Sequence, residues 1–280
     1  MHMNIKTPVN ILTVDVEDWY MNTDIIQWPK FEDRIIASTN RLLSIMGNTK
    51  ATFFVLGYVA EHHPDLIRRI RDAGHEVGTH GYSHKLITSQ TPSQFKEELL
   101  KSIKIIKNIT GEDVYSHRAS NFTIMKSTAW AVDILKTCGI KYDSSVVPAK
   151  TPRYGIPDAP LFPYYISTEH ICGGANQGIY ELPLSVLRLP LKNIPIAGGF
   201  YMRFFPYEVI KNSIKIINLQ GKPAIIYLHP WEIDVKQPKI TGIRWSHYYN
   251  LSKMEPRLKQ LLKDFEFTSI KEWVRDQRLK

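Results

Sequence analysis

The sequence predicts an α/β domain with a largely parallel sheet. Three observations carry that expectation: short apolar and β-branched runs recur along the chain, each is followed by a stretch with helical spacing, and several of the runs end in acids or histidines. A chain of 280 residues and 32.4 kDa accommodates one such domain around a single large core.

Residues 9–16, VNILTVDV, have the pattern of a buried first strand whose carboxyl end opens among acids. Residues 33–46 space their apolar positions as a helix, and 50–56, KATFFVL, read as the next strand. A helix over 64–73 is opened by Pro64 and closed by Gly74, and HEVGTH at 75–80 follows as a third strand. Residues 91–110 begin with Thr-Pro, run amphipathically and stop at Gly111. Then come a helix at 126–137, an extended segment at 139–143, a helix at 206–220, the strand PAIIYLH at 223–229 and a late helix at 254–264. The proline-rich stretch 148–163 reads as a long surface loop, and 148–205 as an irregular insertion or long loops within one domain spanning 1–280. No internal repeat interrupts this order.

The composition, 43% hydrophobic and 22% charged, is that of a folded protein rather than a disordered one. The formal charge of +9 comes from scattered basic residues. No basic stripe with interleaved aromatics, zinc knuckle or phosphate-cradling glycine loop is present, so nucleic acid is not an expected partner. The same charge is compatible with an acidic glycan or with peripheral membrane contact. Cys138 and Cys172 are too few for a disulfide framework or a cysteine-rich zinc site, and both read as buried or half-buried thiols. The first residues run directly into the first strand pattern and no uncharged apolar run reaches ~18 residues. The expectation is therefore no signal peptide, no transmembrane segment and a cytoplasmic protein.

Polar side chains gather just beyond the predicted strands: Asp15, Glu17 and Asp18; His80 and His84; Asp143; His229. The carboxyl ends of parallel strands are where sites assemble. The i, i+4 spacing of His80 and His84 lets two imidazoles reach one ion, and a zinc-like ion needs a few such nitrogens and carboxylates plus an open position. This is not the zincin signature, because Gly81 stands where that motif has glutamate. Among the acids, one would serve as ligand and another would take a proton from an attacking water, unless the cluster only caps a helix or forms a salt bridge. Arg118 would hold such a base ionised, and His229 would donate a proton to a leaving amine.

The order D15-V-E-D18, H80-GYS-H84, R118-ASNF, D143-SS and L228-HPWEID resembles the polysaccharide deacetylase, or NodB-homology, group of carbohydrate esterases. GGFYMRFFPY at 198–207 and HYYNLSKMEPRL at 247–258 are similar to its branch associated with bacterial exopolysaccharide and exosortase loci. The resemblance implies a distorted (β/α)7-type barrel with a divalent metal ion, zinc first and cobalt, nickel or manganese as alternatives, in an Asp-His-His site. It implies His80 and His84 as ligands, Asp15 as catalytic base, Arg118 as its partner and His229 as general acid. The usual pair of adjacent aspartates is absent because Val16 follows Asp15, so the ligand carboxylate is either Glu17 or Asp18. A backbone N–H at Asn121 would contact the oxyanion, and Tyr227 stands where many relatives carry a leucine lining the acetyl pocket.

The expected substrate is an acetylated sugar, oligosaccharide or glycan precursor, from which the N-acetyl group is hydrolysed. Trp19, Tyr20, Tyr82, Phe122, Tyr201 and Trp231 adjoin the motifs and would wall a sugar ring or simply pack the core, while Arg203 would meet an acidic sugar or phosphate. The alternatives are a non-sugar amide hydrolase of the same superfamily and an inactive carbohydrate-binding protein on this fold.

Overall fold

A computed structural model describes residues 8–278. Its strands are β1 (Asn10–Val16), β2 (Thr52–Val55), β3 (Glu76–Thr79), β4 (Ser116–His117), β5 (Tyr142–Asp143), β6 (Tyr164–Ile166), β7 (Ile179–Glu181), β8 (Val186–Arg188), β9 (Asn193–Pro195), β10 (Ile225–Leu228) and β11 (Phe267–Thr268). Seven of them run parallel in the order β10-β1-β2-β3-β4-β5-β7, with β6 antiparallel on the β7 edge and β11 beside the start of β1. The result is one single-domain, curled parallel sheet.

The curl is closed by irregular chain rather than by strand pairing. Beyond β7, the Ser185 N–H donates to the Ile225 carbonyl at 3.3 Å, and the Tyr227 N–H donates to Ala197 at 2.8 Å. Gly198 bridges to Tyr227 there with φ +151°, and a Cβ would stand 1.7 Å from the Tyr227 carbonyl oxygen. Only glycine permits that approach. Residues 148–205, expected as an insertion or loops, thus contain β7, a member of the main sheet, and the hairpin β8–β9. These strands are only three residues long, too short for periodicity to reveal them.

The helices are α1 (Ile35–Met46), α2 (Gly57–His62), α3 (Pro64–Asp72), α4 (Pro92–Thr110), α5 (Ala131–Thr137), α6 (Phe200–Phe204), α7 (Tyr207–Leu219), α8 (Trp245–Tyr248), α9 (Met254–Asp264) and α10 (Ile270–Arg278). The bounds of α4 follow from local chemistry: Thr91 and Gln94 form a reciprocal capping box, Pro92 opens the first turn, and Gly111 ends the helix in the left-handed region. No helix among the described residues is long and apolar enough to cross a membrane.

Strand alternation sorts the side chains into two layers. Leu12, Val14, Val16, Phe53, Val55, Ile226 and Leu228 face outward into the core shared with the helices. Ile11, Phe54, Ile225 and Tyr227 face the barrel interior, whose lower end is plugged by Ile270, Trp273 and Val274 of α10. Asp15 and His229 share the parity of the interior residues and emerge at its upper, carboxyl-terminal end.

Candidate metal and hydrolytic centre

Glu17 continues the inward parity of β1 and lies among imidazoles. Its Oε1 is 3.0 Å from Nε2 of both His80 and His84, and 4.0 Å from Nε2 of His229. Burial opposes ionisation of Glu17, but His84, His229 and His80 together hold it well below the usual carboxylate range. His80 Nδ1 donates to the Arg118 carbonyl at 2.7 Å, which fixes the ring and turns Nε2 toward Glu17. His84 reaches the same point from a residue at φ +57°, just past the end of β3. The ligand atoms of Glu17, His80 and His84 all lie within 4.8 Å of one another, and two imidazole nitrogens with one carboxylate are a donor set that suits zinc and similar divalent ions.

Asp15 borders this cluster. Arg118 Nη1 donates to its Oδ1 at 2.7 Å. The guanidinium is itself fully buried and clamped by the Thr13 hydroxyl, the Ser144 carbonyl and the Ser144 hydroxyl at 2.8, 2.7 and 2.8 Å, with the Phe54 ring beneath it. Each of its N–H groups on that face has an acceptor, so Arg118 cannot swing away without leaving buried polar groups unpaired.

His229 stands next to Asp15, its Nε2 3.9 Å from Asp15 Oδ2, and the ligand atoms of Asp15, Glu17 and His229 also lie within 4.8 Å of one another. Its Nδ1 lies 3.1 Å from Glu232 Oε2, and its backbone N–H donates to the same oxygen at 3.0 Å. Arg203 Nε donates to the other Glu232 oxygen at 2.8 Å and Nη1 caps the His247 carbonyl at 3.0 Å. Burial opposes the Glu232 charge, yet Arg203 and His229 bring its pKa down to about 2. Burial likewise disfavours protonated His229, but Glu17, Glu232 and Asp15 push it up to about 9. Trp231 stacks between His229 and His247, 3.8 Å from the latter ring, and burial followed by Arg203 pulls His247 down to about 3.

Asp15, Glu17, His80, His84 and His229 line a cleft of about 310 Å³ together with Asn121, Phe122, Tyr227 and Trp231. Asn121 and Phe122 both have left-handed backbones, at φ 50° and 56°. Such strain persists where surrounding packing imposes it, and here it turns residue 121 toward the cleft. Tyr227 packs edge-on against Phe122 and narrows the floor.

Other expected residues lie elsewhere. Asp18 has the outward parity: its carboxylate accepts the Arg34, Ile35 and Trp19 N–H groups at 2.6, 2.9 and 2.8 Å, so it caps the start of α1 and is not among the converging ligand atoms. Trp19 and Tyr20 are core residues, packed with Trp28 and Phe31 because they follow Asp18 away from the sheet top. Tyr82 faces Glu61 and Lys101 on the outer side. Arg203 borders the cleft but is spent on Glu232, and Tyr201 hydrogen-bonds Tyr154, which is the lining residue. Asp143 lies below the site, 2.7 Å from His117 Nδ1. Glu232 and His247 were not anticipated; the spacing of His229, Pro230 and Glu232 matches a helix-start signature and was the available signal.

A polysaccharide deacetylase family model matches residues 29–142, and a domain of unknown function, DUF3473, matches 144–275. The first match begins after Asp15 and Glu17, and the second contains Arg203, His229 and Glu232. A peptidoglycan deacetylase of Helicobacter pylori is 37% identical over 97 residues, 35% of this chain and 32% of that protein. A peptidoglycan-N-acetylglucosamine deacetylase of Bacillus cereus is 36% identical over 64 residues, 23% of each chain. The matches thus span about a third or less of these relatives' own lengths. Among solved structures, one from Mycobacterium smegmatis provisionally assigned as a polysaccharide deacetylase has a TM-score of 0.66 at 19% identity, covering 100% of this chain and 94% of that one. An allantoinase has a TM-score of 0.63 at 15% identity, covering 98% and 91%. Both likenesses concern the fold. Residues 29–142 are thus the part of the chain that matches the polysaccharide deacetylase family.

Proposed function

We propose that the protein is a metal-dependent deacetylase that hydrolyses the N-acetyl group of an acetamido sugar in a bacterial glycan or its precursor. The observation that carries this reading is an Arg-held carboxylate and a carboxylate-held histidine, 3.9 Å apart, beside Glu17, His80 and His84 in one cleft. A divalent ion held by Glu17, His80 and His84, zinc first among cobalt, nickel and manganese, would polarise the acetyl carbonyl and make water a better nucleophile.

Asp15 accepts the proton of the attacking water, and Arg118 holds it in place. The water oxygen bonds to the acetyl carbon, and the oxyanion that develops receives the backbone N–H of Asn121, which has no acceptor of its own among the described residues. His229 delivers its proton to the sugar nitrogen as the C–N bond breaks, leaving acetate and a free amine. Tyr227 and Phe122 bound the acyl side of the cleft.

The test is acetate release from short N-acetylated oligosaccharides and nucleotide-linked acetamido sugars by zinc- or cobalt-loaded protein, beside His80→Ala and Asp15→Asn. The reading expects release by the wild type and loss in both variants. No release by a protein that binds metal stoichiometrically, across neutral, anionic and lipid-linked members, would overturn it.

A further inference from the structure

Every charged group deep in the cleft has a partner, while two cations on its rim have none. Asp15 is matched by Arg118, Arg203 by Glu232, and Glu17 faces His80 and His84. Arg153 and Arg244 line the same cleft, are exposed, and have no carboxylate within ion-pair distance among the described residues. They come from different segments. The turn carrying Arg153 is pinned by the Thr151 hydroxyl, which accepts the Arg153 and Tyr154 N–H groups at 3.4 and 3.1 Å. Arg244 immediately precedes α8, where Trp245 stands edge-on to Phe200 with ring centroids 5.6 Å apart and packs on Tyr249 at 5.7 Å. Trp245 is nonetheless 69% exposed, and Phe200 lines the cleft beside it.

We propose that this rim selects glycans bearing an anionic group: Arg153 and Arg244 receive a carboxylate or phosphate of the substrate while Trp245 and Phe200 stack against a neighbouring sugar ring. This names the substrate class for the deacetylase reading and rests on it. A concave wall focuses the field of unpaired cations, and guanidinium groups match the paired oxygens of carboxylate and phosphate. An exposed aromatic beside them adds an apolar face that sugar C–H groups fit. Arg203, the arginine that sequence position alone suggested for this task, is already neutralised by Glu232. Uronate and phosphate share the recognition chemistry, so the probes must separate them.

The experiment measures affinity in an Asp15→Asn background, which prevents turnover, for chitotetraose (neutral), a hyaluronan tetrasaccharide (uronate) and UDP-N-acetylglucosamine (phosphate). At low salt at least one anionic probe is expected to bind about tenfold more tightly than chitotetraose, as two partly solvated ion pairs allow. The preference shrinks toward unity in about 0.5 M sodium chloride. It disappears in Arg153→Ala/Arg244→Ala and is retained in Arg153→Lys/Arg244→Lys. Which anionic probe gains identifies the group. Equal affinity for all three probes, or a preference that survives the alanine pair, would overturn the proposal. Acetate release by protein with Asp15 intact is scored separately: its absence with the anion preference intact would sink the deacetylase reading and leave the rim assignment standing.

Discussion

Replacing Glu232 by glutamine keeps the shape of the His229 support and removes its charge. Glu232 and Arg203 are both buried, with Nε and Oε1 2.8 Å apart, so the variant strands a guanidinium in the interior. Breaking a buried pair from one side costs about 3–5 kcal/mol. Arg203 keeps the His247 and Tyr249 carbonyls as acceptors, which places the loss near the lower end, about 3 kcal/mol. A drop of roughly 6–12 °C in melting temperature follows. Glu232 is also one of the groups that raises His229, and a general acid must be protonated to act, so activity falls on the alkaline side as His229 loses its proton. In Glu232→Gln the alkaline limb of kcat moves to lower pH, and kcat falls roughly tenfold to a hundredfold. Adding Arg203→Met recovers part of the melting temperature, because no charge is left unpaired although the His247 and Tyr249 carbonyls lose their donor, and leaves the limb where Glu232→Gln put it. Thermal unfolding and a kcat profile from pH 6 to 10 test both halves. An unchanged melting temperature would refute the energetic argument, and an unmoved alkaline limb would refute the role given to His229.

Asp18→Ala removes the acceptor of two N–H groups at the start of α1 and should lower stability by about 1–3 kcal/mol in denaturant unfolding. Tyr227→Leu widens the floor beside Phe122 and should raise turnover of N-propionyl relative to N-acetyl substrates, read by competition between the two. His75 is held neutral, down to about 4, by burial and by Lys50, while its Nδ1 accepts the Ala51 N–H. Because its folded pKa lies below the unfolded value, the unfolded chain takes up the proton first. Stability is complete above about pH 6.5 and declines toward pH 4, by about 1–2 kcal/mol at pH 5, and unfolding of His75→Gln should lack that decline.

Much of the site was legible because parallel strands deliver side chains to one end of the sheet. Asp15, His80 and His229 each lie at the end of an expected strand, and those strands belong to one sheet; Arg118 follows the two-residue strand Ser116–His117, which no apolar run announces. The choice between Glu17 and Asp18 is a matter of parity: residue 17 shares the face of Ile11 and Asp15, whereas residue 18 points toward α1. That argument was available from β1 alone, although the strand itself ends at Val16. The aromatic residues misled for the same reason, since proximity to a motif in sequence says nothing about face; Trp19, Tyr20 and Tyr82 turn away while Tyr154 and Phe200, distant from the histidines, come in. Closure of the barrel was not legible, because residues 182–198 pair with β10 through isolated bonds that carry no periodicity. α10 could have been read from Ile270, Trp273 and Val274 at helical spacing.

The most direct test of the central claim measures bound metal by elemental analysis, together with acetate release, in the wild type, Glu17→Gln and Asp18→Ala. A divalent ion bound by Glu17, His80 and His84 predicts about one ion per chain in the wild type and in folded Asp18→Ala, with loss of both metal and acetate release in Glu17→Gln. Full metal and activity in Glu17→Gln, with loss of both in a folded Asp18→Ala, would contradict it.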